Sequence, residues 1–231
     1  MNIIITAGGT IERIDKVRSI ANKSTGALSA TIATEFKKQI PNANIIYICS
    51  VGAKQPNNAT IIQIETIEEL RIALQNNIKN ATIIIHAMAV SDYKVQKIVD
   101  ANTFYKLGKN AKALDKNKKL SSNDNIIMIL EKNEKIISTI KKMNKEIFLV
   151  GFKLLVDVTD SELIDTGYKL LLANDCDLVV ANDLKNIKDD SHIGFIIDKD
   201  KQTQKLNSKP LLAKALIKKI LSDIAPLPHI D

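Results

Sequence analysis

Residues Asn2–Thr10 have the sequence NIIITAGGT, a short apolar strand that runs directly into a pair of glycines. Gly8 and Gly9 carry no Cβ, so the backbone at this turn can approach a ligand closely. The polar segment that follows ends at Ser24, and Gly26 lies at the start of a predicted helix. The N–H groups and partial positive charge of a helix N-terminus suit a phosphate. The order of these features predicts an α/β protein that binds a nucleotide or a phosphate.

The glycine pair has a second interpretation, a tight strand-to-helix turn without a ligand. The sequence lacks both the Gly-x-Gly-x-x-Gly turn of dinucleotide-binding enzymes and the Gly-x-x-x-x-Gly-Lys-Ser/Thr phosphate loop. The polar segment 10–24 favours a ligand site, because it follows the carboxyl end of the first strand, where open α/β sheets bind their ligands.

Strands and helices alternate along most of the chain. The spacing of apolar residues predicts an amphipathic helix over 25–40, and Thr66 with Glu69, like Thr159 with Glu162, has the spacing of a capping box at a helix start. Apolar runs predict strands at 2–5, 45–49, 61–64, 81–86, 126–130, 147–150 and 178–181. This alternation predicts a Rossmann-like three-layer α/β/α fold with a mostly parallel sheet.

The segment 94–125 interrupts this alternation, and further elements are predicted after it. Residues 94–125 are polar, rich in lysine and without a clear period, which predicts a flexible flap or loop. A helix is predicted over 133–143, a C-terminal β-hairpin over 194–206 and a last helix from about 208. The tail, residues 223–231, is expected to fray. No linker or internal repeat divides the chain, so residues 1–231 are expected to form one domain.

Composition narrows the class of protein. The chain has 231 residues with 45% hydrophobic content, enough for one large core, and no apolar run is long enough to span a bilayer. The N-terminus lacks the pattern of a secretory signal, so we expect a cytoplasmic enzyme. The two cysteines and three histidines show no metal-site spacing, so we expect no protein-bound transition metal.

The formal net charge of +7 leaves two kinds of partner open. A basic protein can bind nucleic acid, but the 33 lysines and arginines are interleaved with 26 acidic residues, and the chain has no basic helix or aromatic stacking platform. Substrates that carry phosphates fit the positive balance equally well.

Four segments together resemble the phosphopantothenate–cysteine ligase family, and the resemblance covers residues 2 to about 221. The segments are Ile5–Thr10 with Asp15, Arg18, Asn22 and Ser24–Gly26; Ala87–Tyr93; Val150–Leu154; and Val180–Asp183. The resemblance implies a ligase that joins L-cysteine to 4′-phosphopantothenate in coenzyme A synthesis. The chain starts at the ligase strand, so it resembles the stand-alone form and is expected to carry no flavin.

The resemblance also implies the chemistry and the assembly. The carboxylate of phosphopantothenate attacks the α-phosphate of CTP, giving an acyl-cytidylate and pyrophosphate, and the amine of cysteine then displaces CMP. The nucleotide brings Mg²⁺. Some relatives with a similar Gly151–Leu154 segment accept ATP, so the choice between CTP and ATP stays open. A homodimer is implied, in which the flap of one subunit reaches the site of the other.

Residue roles follow from the same resemblance. Catalytic roles are implied for Asn22, Arg18 and Lys119. A shifted match to the family's lysine segment would place Lys116 in the role of Lys119. Arg18, Asn22, Ser24 and Gly26 are expected to bind phosphopantothenate. The expected nucleotide-binding residues are Gly8, Gly9, His86, Ala87, Met88, Asp92, Lys119, Phe152 and Lys169.

The chain departs from the family pattern at two places near the expected nucleotide site. The turn at 133–136 lacks the family's proline. The helix before Val179 lacks lysines that relatives place against the triphosphate, and Lys169 is the one left there.

Two other functions remain as alternatives. An NAD(P)-dependent reductase would have a similar sheet, although the chain lacks its glycine turn. A basic nucleic-acid-binding protein would explain the net charge.

Overall fold

The computed structural model describes residues 1–122, 125–188 and 191–224. The strands are β1 Asn2–Ala7, β2 Ile11–Arg13, β3 Ser19–Ala21, β4 Asn44–Ser50, β5 Thr60–Ile64, β6 Ile83–His86, β7 Tyr93–Asp100, β8 Ile126–Lys132, β9 Phe148–Leu155, β10 Leu178–Ile187, β11 His192–Asp198 and β12 Thr203–Leu206. The helices are α1 Ala27–Gln39, α2 Ile67–Asn77, α3 Ala101–Leu107, α4 Ile137–Met143, α5 Asp160–Asn174 and α6 Lys209–Ile224. Most of the predicted tail, residues 225–231, lies outside the described residues.

An eight-stranded sheet in the order β12-β11-β10-β9-β6-β1-β4-β5 forms the centre of the molecule. The strands from β10 to β5 in this order are all parallel, whereas β11 and β12 are antiparallel additions at one edge. The chain begins at β1, builds outward to β5, and then returns to place β6 on the other side of β1. This change of direction creates a crevice at the carboxyl ends of β1 and β6. The predicted Rossmann-like α/β fold and C-terminal β-hairpin are confirmed.

Strand alternation explains the two core layers. Ile3 and Ile5 pack with α1 and α6 on one face of the sheet, while Ile4 packs with α2, α4 and α5 on the other. Because successive side chains of a strand point to opposite faces, a strand that is buried on both faces must be apolar throughout. The isoleucine run in β1 is therefore the signature of a central strand.

Two helix starts follow the predicted capping pattern. The hydroxyl of Thr66 accepts a hydrogen bond from the N–H of Glu69, and that of Thr159 accepts one from the N–H of Glu162. Each hydroxyl satisfies one of the N–H groups that a helix start leaves without a partner.

The segment 94–125 differs from the prediction of a flap or loop, because its first part is regular structure. Strand β7 and helix α3 lie within it, and among its described residues only 111–122 and 125 lack helix or strand. The prediction failed because lysines obscure the apolar positions Val95 and Ile98, which form a small core of their own with Leu120.

Strand β8 is the second correction. The apolar run at 126–130 was predicted as part of the central sheet, but β8 pairs antiparallel with β7 in a separate two-stranded sheet. We call β7, α3, residues 108–125 and β8 the arm. The helix predicted over 133–143 begins only at Ile137, because the N–H of Asn133 bonds to the carbonyl of Asp92 at 2.8 Å. The polar segment 10–24 contains a further unpredicted feature, the β2–β3 hairpin.

A pair of glycine substitutions tests how tightly the first turn is packed. Gly8 and Gly52 share a φ of +80°, but an added Cβ would lie 2.0 Å from Ser50 Oγ at Gly8 and would meet nothing within 4 Å at Gly52. Gly52→Ala should cost about 1–2 kcal/mol of unfolding free energy through φ alone. Gly8→Ala should cost about 1–3 kcal/mol more through overpacking. Urea denaturation measures both, and equal losses would contradict this account.

Candidate active site

The first turn of the chain packs directly against the segment that follows β6. The N–H of Ala89 donates to the carbonyl of Gly8 at 2.9 Å, and the N–H of Thr10 donates to the carbonyl of Ala89 at 3.1 Å. An added Cβ at Gly9 would lie 2.6 Å from the backbone oxygen of Asn22. Glycine is therefore required at this crossing, because three backbone segments meet there.

Polar side chains fix the ends of β1 and β6. Thr6 Oγ1 accepts a hydrogen bond from the N–H of Met88 at 3.1 Å and lies 3.1 Å from His86 Nδ1. Burial lowers the pKa of His86 to about 4, so its ring is neutral near pH 7. Asn22 Nδ2 donates to the carbonyl of Ala89 at 3.1 Å, which holds the end of the β2–β3 hairpin on the same segment.

A cavity of about 480 Å³ opens beside the start of α1, and we call it the first cavity. Its walls include residues 23–29, residues 87–90 and side chains from β9 and β10. Three lysines line it, Lys23, Lys153 and Lys209, and no aspartate or glutamate is among its described lining residues. This uniform positive charge suits an anionic ligand.

A buried asparagine–histidine pair forms one end of the first cavity. Asn182 Nδ2 lies 2.7 Å from His192 Nε2, and both residues line the cavity. Burial first, and then the charge of Lys209, lowers the pKa of His192 to about 4. Within the described part of the chain, His192 Nδ1 has no hydrogen-bond partner. That nitrogen is itself buried, so the ring contacts Asn182 through Nε2 and does not expose Nδ1 to the cavity.

A second cavity of about 600 Å³ lies on the α4–α5 side of the sheet. His86, Asp92, Phe152 and the turn 133–136 contribute to its lining. The side chain of Lys135 forms an ion pair with Asp92. The buried Asn133 bridges neighbouring segments, since its Nδ2 donates to the carbonyl of Ser91 at 3.1 Å and to Glu12 Oε1 at 3.4 Å.

The two cavities share a wall. Met88, Val90, Phe152 and Lys153 line both of them. The arrangement can therefore hold two ligands side by side, with their adjacent ends next to these four residues.

Comparison with known proteins identifies the family. The family model described as "DNA/pantothenate metabolism flavoprotein C-terminal domain" matches residues 1–224. The chain belongs to this family.

Similar proteins agree with the assignment. A coenzyme A biosynthesis bifunctional protein CoaBC from Thermococcus kodakarensis is 30% identical over 200 residues, which cover 86% of this chain and 45% of that protein. The CoaBC protein of Methanocaldococcus jannaschii is 26% identical over 220 residues, covering 94% of this chain and 50% of that one. The chain thus spans about half the length of the curated relatives it matches.

Among solved structures, the DNA/pantothenate metabolism flavoprotein from Streptococcus pneumoniae is 35% identical to this chain. Its TM-score is 0.87, and the match covers 96% of this chain and 99% of that one.

The structure brings most of the residues predicted for the site to the two cavities of this family member. Ser24, Gly26, Ala87, Met88 and Phe152 line the first cavity. His86, Met88, Asp92 and Phe152 line the second. Gly8, Gly9 and Asn22 lie at the crossing of backbone segments that positions residues 87–90, and none of the three is among the lining residues.

Lys169, Arg18 and Lys119 also lie outside both cavity linings. Lys169 is exposed on α5, where its charge acts on Asp165. Leu170, Ala173 and Asn174 of the same helix do line the second cavity. The helix face on which the family resemblance led us to expect lysines thus lines the second cavity with these three uncharged residues. Lys132, Lys135 and Lys153 bring positive charge to this cavity from other elements.

Arg18 is engaged within the protein. Its Nε and Nη2 donate to Asp15 Oδ2 at 2.9 and 2.6 Å, and its Nη2 also donates to the carbonyl of Leu120 at 3.0 Å. The buried Asp15 in turn accepts a hydrogen bond from the N–H of Leu120 at 3.0 Å. The pair therefore ties the β2–β3 hairpin to the arm, a contact that sequence analysis did not foresee.

The two candidate lysines of the arm differ in their surroundings. Lys116 Nζ donates to the carbonyl of Val95 at 2.9 Å, which holds it within the arm. Lys119 is exposed, and its side chain makes no ion pair or hydrogen bond with the residues that the structure describes.

Sequence analysis missed several residues that line the cavities. Lys153 and Asn182 lie inside segments that carried the family resemblance, so their positions were available although no role was assigned to them. His192 and Lys209 had no such signal, because only the fold brings β11 and α6 to the first cavity. Lys132 was equally hidden, since β8 was expected in the central sheet.

The described residues contain neither a cluster of metal ligands nor a membrane-spanning helix. No group of three or more His, Cys, Asp or Glu side chains is arranged to hold a metal ion within residues 1–122, 125–188 and 191–224. Over the same ranges, no helix combines the length and apolar character needed to cross a membrane.

Removing the charge of Asp15 should destabilise the contact between the hairpin and the arm in a pH-dependent way. The Arg18 guanidinium, supported by the N–H groups of Val17, Leu120 and Arg18, holds the pKa of Asp15 well below its ordinary value of 3.8. A carboxyl with a lowered folded-state pKa contributes stability above its unfolded pKa and loses it as the pH falls. Asp15→Asn should therefore be less stable than wild type at pH 7, and the difference should shrink below about pH 4.

Urea denaturation at pH 7 and at several lower values measures this difference. Asp115→Asn is the matched control, because Asp115 is an exposed carboxylate of the arm and lies near Leu120 in the sequence. A difference for Asp15→Asn that does not change with pH would contradict the proposed charge interaction.

Proposed function

We propose that this chain joins L-cysteine to 4′-phosphopantothenate, giving 4′-phosphopantothenoyl-L-cysteine, with CTP as the energy source. The observation that carries the proposal is the pair of adjoining cavities, one of them lined by lysines without a carboxylate. Family membership and the names of the coenzyme A biosynthesis relatives support it.

The first cavity fits phosphopantothenate by charge and size. This substrate has a phosphate at one end and a carboxylate at the other, and the cavity offers Lys23, Lys153 and Lys209. Its volume of about 480 Å³ lies within the usual range for small-molecule sites. The start of α1 adds a partial positive charge, and Gly26 as its N-cap places no side chain there.

The second cavity is assigned to the nucleotide. Phe152 can pack against the base, His86 and Met88 adjoin it, and Lys132, Lys135 and Lys153 offset the charge of the triphosphate. Mg²⁺ commonly binds through one or two carboxylates together with substrate phosphates, so Asp92 and Glu134 are the lining residues that fit it. Mg²⁺ neutralises charge on the phosphates that it binds. We retain CTP as the first choice and ATP as the alternative.

The reaction follows from the need to activate a carboxylate. Its oxygen attacks the α-phosphorus, an O–P bond forms, and the bond to the bridging oxygen breaks with its electron pair leaving on pyrophosphate. The amine of cysteine then attacks the acyl carbon, loses a proton, and expels CMP. Donors and cations that are already in place for the developing charge supply most of the catalysis in such reactions.

We propose that Asn22 and Lys119 have catalytic roles, and the structure offers a different argument for each. Asn22 reaches the segment 87–90 through Ala89, so a modest movement of its side chain would reach the acyl-cytidylate carbonyl in the first cavity. Lys119 lies outside both linings, and its proposed role requires the arm to reach a site in a partner subunit. Arg18 is proposed to act by holding the arm through Leu120, besides any contact with substrate.

A homodimer is part of the proposal. Three apolar side chains of the arm, Tyr93, Met128 and Leu130, are between 40% and 56% exposed, which suits an interface between two copies. Sedimentation velocity would show twice the chain mass. We further propose a cytoplasmic protein without bound flavin, which the absence of visible flavin absorbance in the purified protein would support.

The two alternative functions have less support. A reductase would be expected to bind NADPH, which a fluorescence titration measures directly. A nucleic-acid-binding protein would retain DNA or RNA with a steep salt dependence. The chain lacks the Gly-x-Gly-x-x-Gly turn of the first class and the basic helix or aromatic stacking platform of the second.

Pyrophosphate release tests the proposal directly. With Mg²⁺, CTP and phosphopantothenate, the protein should release pyrophosphate, and adding cysteine should yield the amide and CMP. The same assay with ATP gives the nucleotide preference. Release that does not depend on phosphopantothenate, or no release with either nucleotide, would contradict the proposed ligase.

Asn22→Asp separates the two steps. A carboxylate near the acyl-cytidylate would replace a hydrogen-bond donor by a negative charge, so the second step should slow by about 100-fold or more while pyrophosphate release continues. Mass spectrometry of the reaction mixture should then detect accumulated acyl-cytidylate. Cysteine ligation at the wild-type rate would exclude this role.

A further inference from the structure

Lys153 occupies an unusual position in the site. It is the one charged residue among the four side chains that line both cavities, the others being Met88, Val90 and Phe152. If each cavity holds one substrate, the reacting ends must meet at this shared wall. A cation there lies next to both reacting groups at once.

Strand geometry explains how Lys153 reaches this position. Strand β9 pairs with β6 only as far as Gly151, which lies opposite His86. Lys153 is two residues further along β9, so it shares the face of Gly151 and lies beyond the end of β6. The crevice at the carboxyl ends of the strands therefore begins at Lys153.

The charge of Lys153 is uncompensated within the described chain. Of the lysines that line the cavities, Lys135 is paired with Asp92, whereas Lys153 shares the lack of a counter-ion among the described residues with Lys23, Lys132 and Lys209. Lys153 is half-buried, and no ion pair or hydrogen bond of its side chain is found among residues 1–122, 125–188 and 191–224. A partly desolvated ammonium without a counter-ion gains most from an anionic ligand.

We propose that Lys153 is a catalytic residue of the first step, and this inference rests on the proposed function. Its ammonium group donates hydrogen bonds to a non-bridging oxygen of the α-phosphate and to the substrate carboxylate. It remains protonated while the carboxylate oxygen forms its bond to phosphorus and pyrophosphate leaves with the electron pair of the broken bond. Lys153 thereby brings two negatively charged reactants together and stabilises the charge of the transition state.

Lys153→Met tests the role, because it keeps much of the side-chain volume and removes the charge. The turnover rate for pyrophosphate release should fall by about 100-fold or more. Lys153→Arg, which keeps a cation, should retain more activity than Lys153→Met. The matched control is Lys185→Met on the neighbouring strand β10, since Lys185 lines neither cavity; it should release pyrophosphate at the wild-type rate.

The outcomes are distinguishable from failure of the proposed function. Wild type without phosphopantothenate-dependent release would overturn the ligase itself. Active wild type together with a folded Lys153→Met variant that turns over within about threefold of it would overturn only the role of Lys153. Circular dichroism and thermal midpoints establish folding, and Lys153→Gln, neutral and of similar reach, replaces the methionine variant if that one does not fold.

Discussion

The close contact between residues 8–10 and the segment after β6 is the constraint on which the site depends. Backbone hydrogen bonds join Gly8 and Thr10 to Ala89, and Gly9 lies against the backbone of Asn22. This packing is possible only where two adjacent residues lack a Cβ. It fixes residues 87–90 between the two cavities, so a glycine turn that never lines either cavity determines the position of both.

Charge is distributed unequally between the cavities. The first has lysines and no carboxylate in its described lining, whereas the second combines lysines with Asp92 and Glu134. A single anionic substrate suits the first environment, and a nucleotide that arrives with a divalent cation suits the second. The shared wall contains one charged residue, so the region between the cavities is mainly apolar. Such surroundings strengthen the interaction of Lys153 with anionic groups.

Residues of the polar segment 10–24 hold the arm in place. Arg18, which the family resemblance associates with the substrate, holds Leu120 of the arm in place together with Asp15. Residues 111–122, without helix or strand, are thus anchored at a point close to Lys119. An arm that is structured along β7 and β8 but irregular near Lys119 is well suited to present one side chain away from its own core. The Asp15–Arg18 pair of the hairpin therefore positions the arm, whatever its contact with the substrate.

The sequence by itself determined the α/β class, the order of the central strands along the chain and the capped helix starts, and the family resemblance added His86, Ala87, Met88 and Asp92. These features depend on local patterns: uninterrupted apolar runs, capping pairs and glycines without a Cβ. Only the tertiary structure decided that β8 pairs with β7, that Arg18 is bonded to Asp15 and Leu120, and that Lys153, His192 and Lys209 meet in one cavity. Those contacts join residues far apart in sequence, and a lysine in a strand or helix has the same local pattern whether it faces solvent or a site.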